Sequence, residues 1–185
     1  KDKDKPFYLW LCYGAVHGPF TPAKRHFENY PDAKVKIPKD IYPPRKGKPQ
    51  YSRDKEQWIP GPNGLPILKA GRFAGRTVSG KFIHGTDLHS LERQYNQGVI
   101  AIDEGVGKLI KALKETGQYE NTLIVFGADQ GIAWGQKGFQ MKLAPYDGTI
   151  RGPLIVSMPK NFPAGKVCPK PVGGADLVPT FFKTA

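Results

Sequence analysis

Cysteine is nearly absent from this sequence, and its scarcity excludes two architectures. Cys12 and Cys168 are too few and too far apart for a disulfide framework or a zinc site, both of which need paired spacings. They read as buried thiols. Long apolar runs are also missing: Phe7 to Tyr13 and Leu123 to Ala128 fall far short of the roughly 20 residues that cross a bilayer. The charged start, Lys1 to Pro6, leads into a strand-like run without an Ala-x-Ala-type cleavage region, so no targeting segment is read. Acidic residues are few, 16 against 28 Lys and Arg, for a net charge of +12. Such an excess suits nucleic acid, an acidic membrane surface or an anionic small substrate. With no zinc-finger spacing, recognisable module or basic helix, nucleic acid is not expected and an anionic substrate is favoured. What is present, 185 residues of which 39% are hydrophobic, suffices for one domain with a sizeable core.

Along the chain, Phe7 to Tyr13 is continuously apolar and aromatic, the pattern of a strand covered on both faces. It ends in a loop, Gly14 to Pro19, that carries His17. Eight prolines fall between Pro31 and Pro66, with a basic cluster at Arg45, Lys46, Lys48, Arg53 and Lys55. Regular helix or central strand is not expected there, and residues 31–83 read as a Pro-rich, basic surface excursion. Thr86 is placed as an N-cap for one long amphipathic helix, with Leu88, Leu91, Tyr95, Val99, Ile102, Val106, Leu109 and Leu113 at spacings of three and four. Gly98, Gly105 and Gly107 weaken it locally, and Gly117 stops it. Asn121 to Ala128 and Pro153 to Met158 are further buried-strand runs. A short helix opens near Asp176, with Pro179 in its first turn and Phe181 and Phe182 as apolar contacts. Strand, long helix, strand, strand makes an α/β layer fold, in which ligands collect beyond the carboxyl ends of strands.

Two places meet that rule. After Asn121–Ala128 comes Asp129-Gln130-Gly131, a carboxylate and an amide offering two hard oxygens of the kind calcium takes. The same tripeptide serves equally well as a turn cap. Lys142 follows closely and can neutralise a sulfuryl or phosphoryl oxygen, although any single lysine among so many is ordinarily a solvated one. His17, at the other strand end, can hand a proton to a leaving-group oxygen or serve a structural hydrogen bond. His26, His84 and His89 are left unassigned.

The order of these features carries a resemblance. Pro6 to Pro22 resembles the sulfatase segment in which a strand enters a Pro-His-x-Pro loop. Tyr95 to Gly117 is similar to that family's following helix, and Asn121 to Gly131 to its Asn-Thr-apolar-Asp-(Asn/His/Gln)-Gly metal turn. Lys142, Tyr146, Arg151 to Val156 and Asp176 to Thr180 continue in the family's order. The chain is therefore identified as an internal or C-terminal portion of a sulfatase catalytic domain, within the alkaline phosphatase superfamily. The resemblance implies a partial alkaline phosphatase-like α/β/α sandwich. It further implies Ca2+ held in part by Asp129 and Gln130, Lys142 on the sulfate, and His17 at the leaving-group oxygen or the sulfate. A periplasmic, secreted or lysosomal compartment is implied as well.

Two departures stand out. Val16 replaces the proline that often precedes the histidine. Neither Cys12, followed by Tyr-Gly-Ala-Val, nor Cys168, followed by Pro-Lys-Pro-Val, matches the Cys-x-(Pro/Ala)-x-Arg segment whose cysteine becomes the formylglycine nucleophile. The family's Asp-Asp metal pair is not found either. The expected activity is hydrolysis of a sulfate ester on a sulfated small molecule or polysaccharide, with nucleophile and remaining metal ligands supplied by the rest of the catalytic domain. These 185 residues alone are expected to be inactive. Residues 34–76 are the candidate contacts to the non-reacting part of the substrate. Two alternatives stay open: a phosphodiesterase or phosphonate monoester hydrolase of the same superfamily, and a non-catalytic basic module that binds polyanions.

Overall fold

The computed structural model describes residues 5–18, 20–32, 34–69, 85–142 and 144–184. His84 and residues 70–83 of the expected excursion lie outside the described residues. After a 3-10 turn at Lys24–His26 come α1 (Gln50–Arg53), β1 (Trp58–Pro60), β2 (Pro66–Leu68) and the long α2 (Leu88–Glu115). Then follow β3 (Ile124–Gly127), β4 (Ala133–Trp134), β5 (Gln140–Met141), α3 (Asp147–Ile150), β6 (Leu154–Ser157) and α4 (Leu177–Thr184). The strands pair antiparallel as β1–β2, β3–β6 and β4–β5.

Helix α2, 28 residues and so about 42 Å long, starts one residue later than expected. Asp87, not Thr86, is the N-cap: its Oδ1 accepts from Ser90 N at 3.0 Å and its Oδ2 from Ser90 Oγ at 2.6 Å. A carboxylate there also faces the positive end of the helix dipole, which a threonine hydroxyl does not match. The Gly117 stop is as expected, with φ +71° just beyond the Thr116 C-cap. The glycines within the helix have a packing use. A Cβ at Gly98 would sit 2.8 Å from Val16 Cγ1, and one at Gly105 would collide with the Tyr13 hydroxyl. Without side chains there, residues 13–16 lie directly against the helix.

The apolar stripe is buried at its start, Leu88 and Leu91, but Val99 is 41% exposed. Polar Gln94 and Gln97 occupy buried positions between them. Gln97 Nε2 donates to Phe27 O at 2.9 Å and Asn29 O at 2.7 Å, carbonyls just after the Lys24–His26 turn that the Arg93 guanidinium also reaches, at 3.1 and 3.3 Å.

The principal core joins Phe20, Ile41, Trp58, Leu68, Leu88 and Leu91. Half of these come from the segment read as a surface excursion, which is corrected accordingly: its described part is folded inward. Prolines do not prevent this, because β1 and β2 are short and their register ends on Pro60 opposite Pro66, where neither needs an N–H. Arg45, read as part of a surface basic cluster, is 5% exposed. Its guanidinium donates to the carbonyls of Asp40, Ile41 (2.6 Å), Ser52 (2.7 Å) and Lys55 (2.9 Å). Five donors on a rigid fork make Arg suited to gathering several carbonyls.

Three other expectations are corrected. Phe7 to Tyr13 forms no strand and is exposed, Tyr8 at 73% and Trp10 at 72%, because no described strand pairs with it. Cys12 and Cys168 are exposed, not buried. Phe182 is 82% exposed and contributes little packing to α4. No helix among the described residues is long and apolar enough to cross a membrane.

Candidate active site

Strand β3 is held to β6 through Gly127 opposite Leu154, and the last rung is Ala128 N to Pro153 O at 3.3 Å. Beyond it the chain turns through Asp129 and Gln130. Gln130 Nε2 donates to Asp129 Oδ2 at 3.2 Å, which leaves Gln130 Oε1 and Asp129 Oδ1 without a partner among the described residues. Asp129 is exposed and Gln130 half-buried. One carboxylate and one amide oxygen on adjacent residues fit a hard cation. They are a fraction of the roughly six to eight oxygens that calcium takes. Among the described residues no three His, Cys, Asp or Glu side chains gather to hold a metal by themselves.

The backbone behind this pair is tightly fixed. Gly131 N donates to Thr149 O at 2.9 Å. A Cβ on Gly131 would lie 2.5 Å from Gly148 O and collide with Arg151 O, and one on Gly152 would be 3.0 Å from Ala128 O. Thr149 is buried, and its hydroxyl donates to the carbonyls of Ala144 and of Tyr146 (2.9 Å). The α3 turn is thereby locked, and with it the carbonyl that holds Gly131. The sequence reading used Gly131 as a landmark without seeing this close approach, and gave no signal at all for Thr149.

Lys142 and His17 come from other stretches of the chain. Ala133 pairs with Met141, which puts Lys142 immediately after the β4–β5 ribbon, opposite Ile132 if the register is continued by one residue. A Cβ on Gly18 would be 3.4 Å from Met141 Cε, so the His17 loop packs against the residue before Lys142. His17 is exposed, beside a cavity of about 290 Å³ lined by its own loop, Phe20, Thr21 and Gln94. Its Nδ1 lies 3.0 Å from Gly18 O. A carbonyl can only accept, so Nδ1 carries the proton and Nε2 is the nitrogen left for a ligand. No hydrogen bond or ion pair among the described residues joins His17 or Lys142 to Asp129 or Gln130; the β4–β5 ribbon is what relates them.

A family model described as Sulfatase matches residues 1–185. The N-acetylglucosamine-6-O-sulfatase of Bacteroides thetaiotaomicron is 24% identical over 223 residues, covering 100% of this chain and 40% of that protein. The choline-sulfatase of Rhizobium meliloti is 33% identical over 176 residues, covering 95% of this chain and 31% of its own length. A solved structure of a complex with the substrate D-glucosamine-2-N,6-O-disulfate superposes with a TM-score of 0.70 at 22% identity, over 92% of this chain and 42% of that one. At that identity the likeness speaks for the fold. The chain spans two fifths or less of the length of these relatives. It belongs to the sulfatase family, and its mixed helices and strands are part of an alkaline phosphatase-like α/β fold.

Proposed function

We propose that this chain forms part of the active site of a sulfatase that hydrolyses a sulfate ester on a sugar. The observation that carries this reading is the Asp129-Gln130 pair, held by Gly131 at a strand end, with Lys142 just beyond the adjoining β4–β5 ribbon and the His17 loop packed against Met141 of that ribbon. Asp129 Oδ1 and Gln130 Oε1 are the oxygens offered to a calcium ion, which when bound supplies positive charge beside an anionic ester. The Lys142 ammonium binds a sulfate oxygen and offsets its charge. With Nδ1–H held by Gly18 O, Nε2 is the His17 nitrogen offered to the leaving sugar oxygen, and the ring hands over a proton there from its imidazolium form, protonated at both nitrogens. The formylglycine nucleophile is expected from residues other than these 185, since neither cysteine here has the required neighbours. The names of the relatives, an N-acetylglucosamine-6-O-sulfatase among them, support a sulfated sugar as substrate.

The test uses the full-length enzyme on matched sulfate, phosphate and phosphonate esters. Sulfate turnover that falls by about a hundredfold or more on Asp129→Ala and on Lys142→Ala is expected. A preference for phosphonate or phosphate diesters would replace this reading with the superfamily alternative. Steeply salt-dependent polyanion binding that ignores both substitutions, without turnover, would replace it with a binding module.

A further inference from the structure

Around Phe139, aromatic rings from two distant stretches of chain converge. Tyr51, in α1, has its centroid 6.5 Å from that of Phe139 at 56°. Tyr146, just before α3, lies 5.7 Å from it at 51°. The two phenol oxygens are 3.4 Å apart, so both tyrosines lean together over Phe139. Lys55 Nζ stands 5.6 Å from the Phe139 centroid. The Ser52 hydroxyl and Tyr51, and after them the charges of Lys48 and Lys137, hold the Tyr146 phenol below its ordinary range. Lys137 is balanced by Asp40 at 2.9 Å. Lys48 and Lys55 have no ion pair among the described residues.

Core packing does not account for this cluster, because Tyr51 is 54% exposed. A half-open aromatic surface edged by ammonium groups complements a ligand with a flat C–H face and anionic substituents. A sulfated pyranose has both. The location suits it too: Phe139 leads through β5 to Lys142, and Tyr146 precedes the helical turn whose Thr149 carbonyl holds Gly131. About 5 Å of helix rise separates Tyr146 from Thr149.

We propose that Tyr51, Phe139 and Tyr146, with Lys48 and Lys55, form a subsite for a sulfated sugar residue next to the one whose ester is cleaved. This deepens, and rests on, the sulfatase reading above. It selects oligosaccharides over small sulfate esters, which end before reaching it.

The experiment compares a heparin-derived hexasaccharide with 4-nitrophenyl sulfate, using the full-length enzyme and its Tyr51→Ala, Tyr51→Trp and Lys48→Glu/Lys55→Glu variants. Tyr51→Ala is expected to raise KM for the hexasaccharide about threefold to tenfold, with kcat and the aryl sulfate parameters within twofold. Tyr51→Trp restores KM, and the double charge reversal raises it further. An equal change on both substrates, or none on the hexasaccharide, overturns the subsite. Calorimetric binding of the hexasaccharide to the Asp129→Asn enzyme separates the two readings. Aryl sulfate turnover without hexasaccharide binding rejects the subsite and leaves the sulfatase reading intact. Hexasaccharide binding that weakens with Tyr51→Ala, in an enzyme that cleaves no sulfate ester, supports the subsite and rejects that reading.

Discussion

Replacing Arg45 by methionine keeps most of the side-chain volume and removes the fork that gathers four carbonyls. Three of its bonds measure 2.6 to 2.9 Å and the fourth goes to Asp40 O. Hydrogen bonds from a charged donor contribute about 1.5 kcal/mol or more each, and several buried carbonyls lose their partner at once. Against this, the guanidinium no longer has to be desolvated, which burial makes costly enough to lower its pKa despite the nearby Asp40. Ions of this kind return several kcal/mol on removal. The balance is a loss of about 3 kcal/mol. Calorimetry or near-ultraviolet circular dichroism of the full-length enzyme reads it. Arg45→Lys should recover less than half, because one ammonium cannot reach carbonyls on opposite sides of the fork. Gly138 supplies a cross-check, since a Cβ there would overlap the Arg45 guanidinium at φ +73°. Gly138→Ala is destabilising alone and costs less in the Arg45→Met background, where the steric part is gone. Unchanged KM below the melting transition assigns Arg45 to the fold and not to the substrate. An Arg45→Met variant within about 0.5 kcal/mol of wild type would refute the argument.

Gly131→Ala drives a methyl group into two backbone carbonyls, so calcium affinity measured by titration should fall at least tenfold while far-ultraviolet circular dichroism stays as in wild type; unaltered affinity would show that the turn has slack. His17→Ala should cost more on a sugar sulfate than on 4-nitrophenyl sulfate, by about tenfold or more, because a good leaving group needs no proton; equal losses would remove the proton-donor role. Burial pushes the half-buried Glu92 carboxyl up to about 7. Because that lies above its unfolded value, the associated stability is complete below about pH 4.5 and is lost as pH rises through 7. Discounted for partial exposure, the loss is on the order of 1 to 2 kcal/mol. Denaturant titrations from pH 5 to 8 should slope for wild type and flatten for Glu92→Gln, and parallel profiles would count against it.

Most of the fold was legible where periodicity is long. Helix α2 and its Gly117 stop follow from spacing alone, and its cap was missed because two adjacent residues, Thr86 and Asp87, both suit the role. The proline-rich stretch misled because proline density reports the lack of long ladders, which is true here, and not the lack of burial. Trp58, wholly buried with its Nε1 donating to Phe139 O at 3.1 Å, was the residue there that pointed inward. The candidates Asp129, Gln130, Lys142 and His17 were picked out by their order along the chain. The residues packed behind them were not: Thr149, Gly152 and Met141 act through backbone carbonyls and van der Waals contact, which leave no pattern of residue types to read.

Gly131 and Gly152 have an implication for how such a site can change over time. Most tight contacts in a protein are between side chains, and a swelling at one position can be accommodated by a shrinkage at another. At Gly131 the opposing atoms are carbonyls of Gly148 and Arg151, which every amino acid possesses. No second substitution can make room, so new chemistries on this frame have to be reached by altering what surrounds the turn.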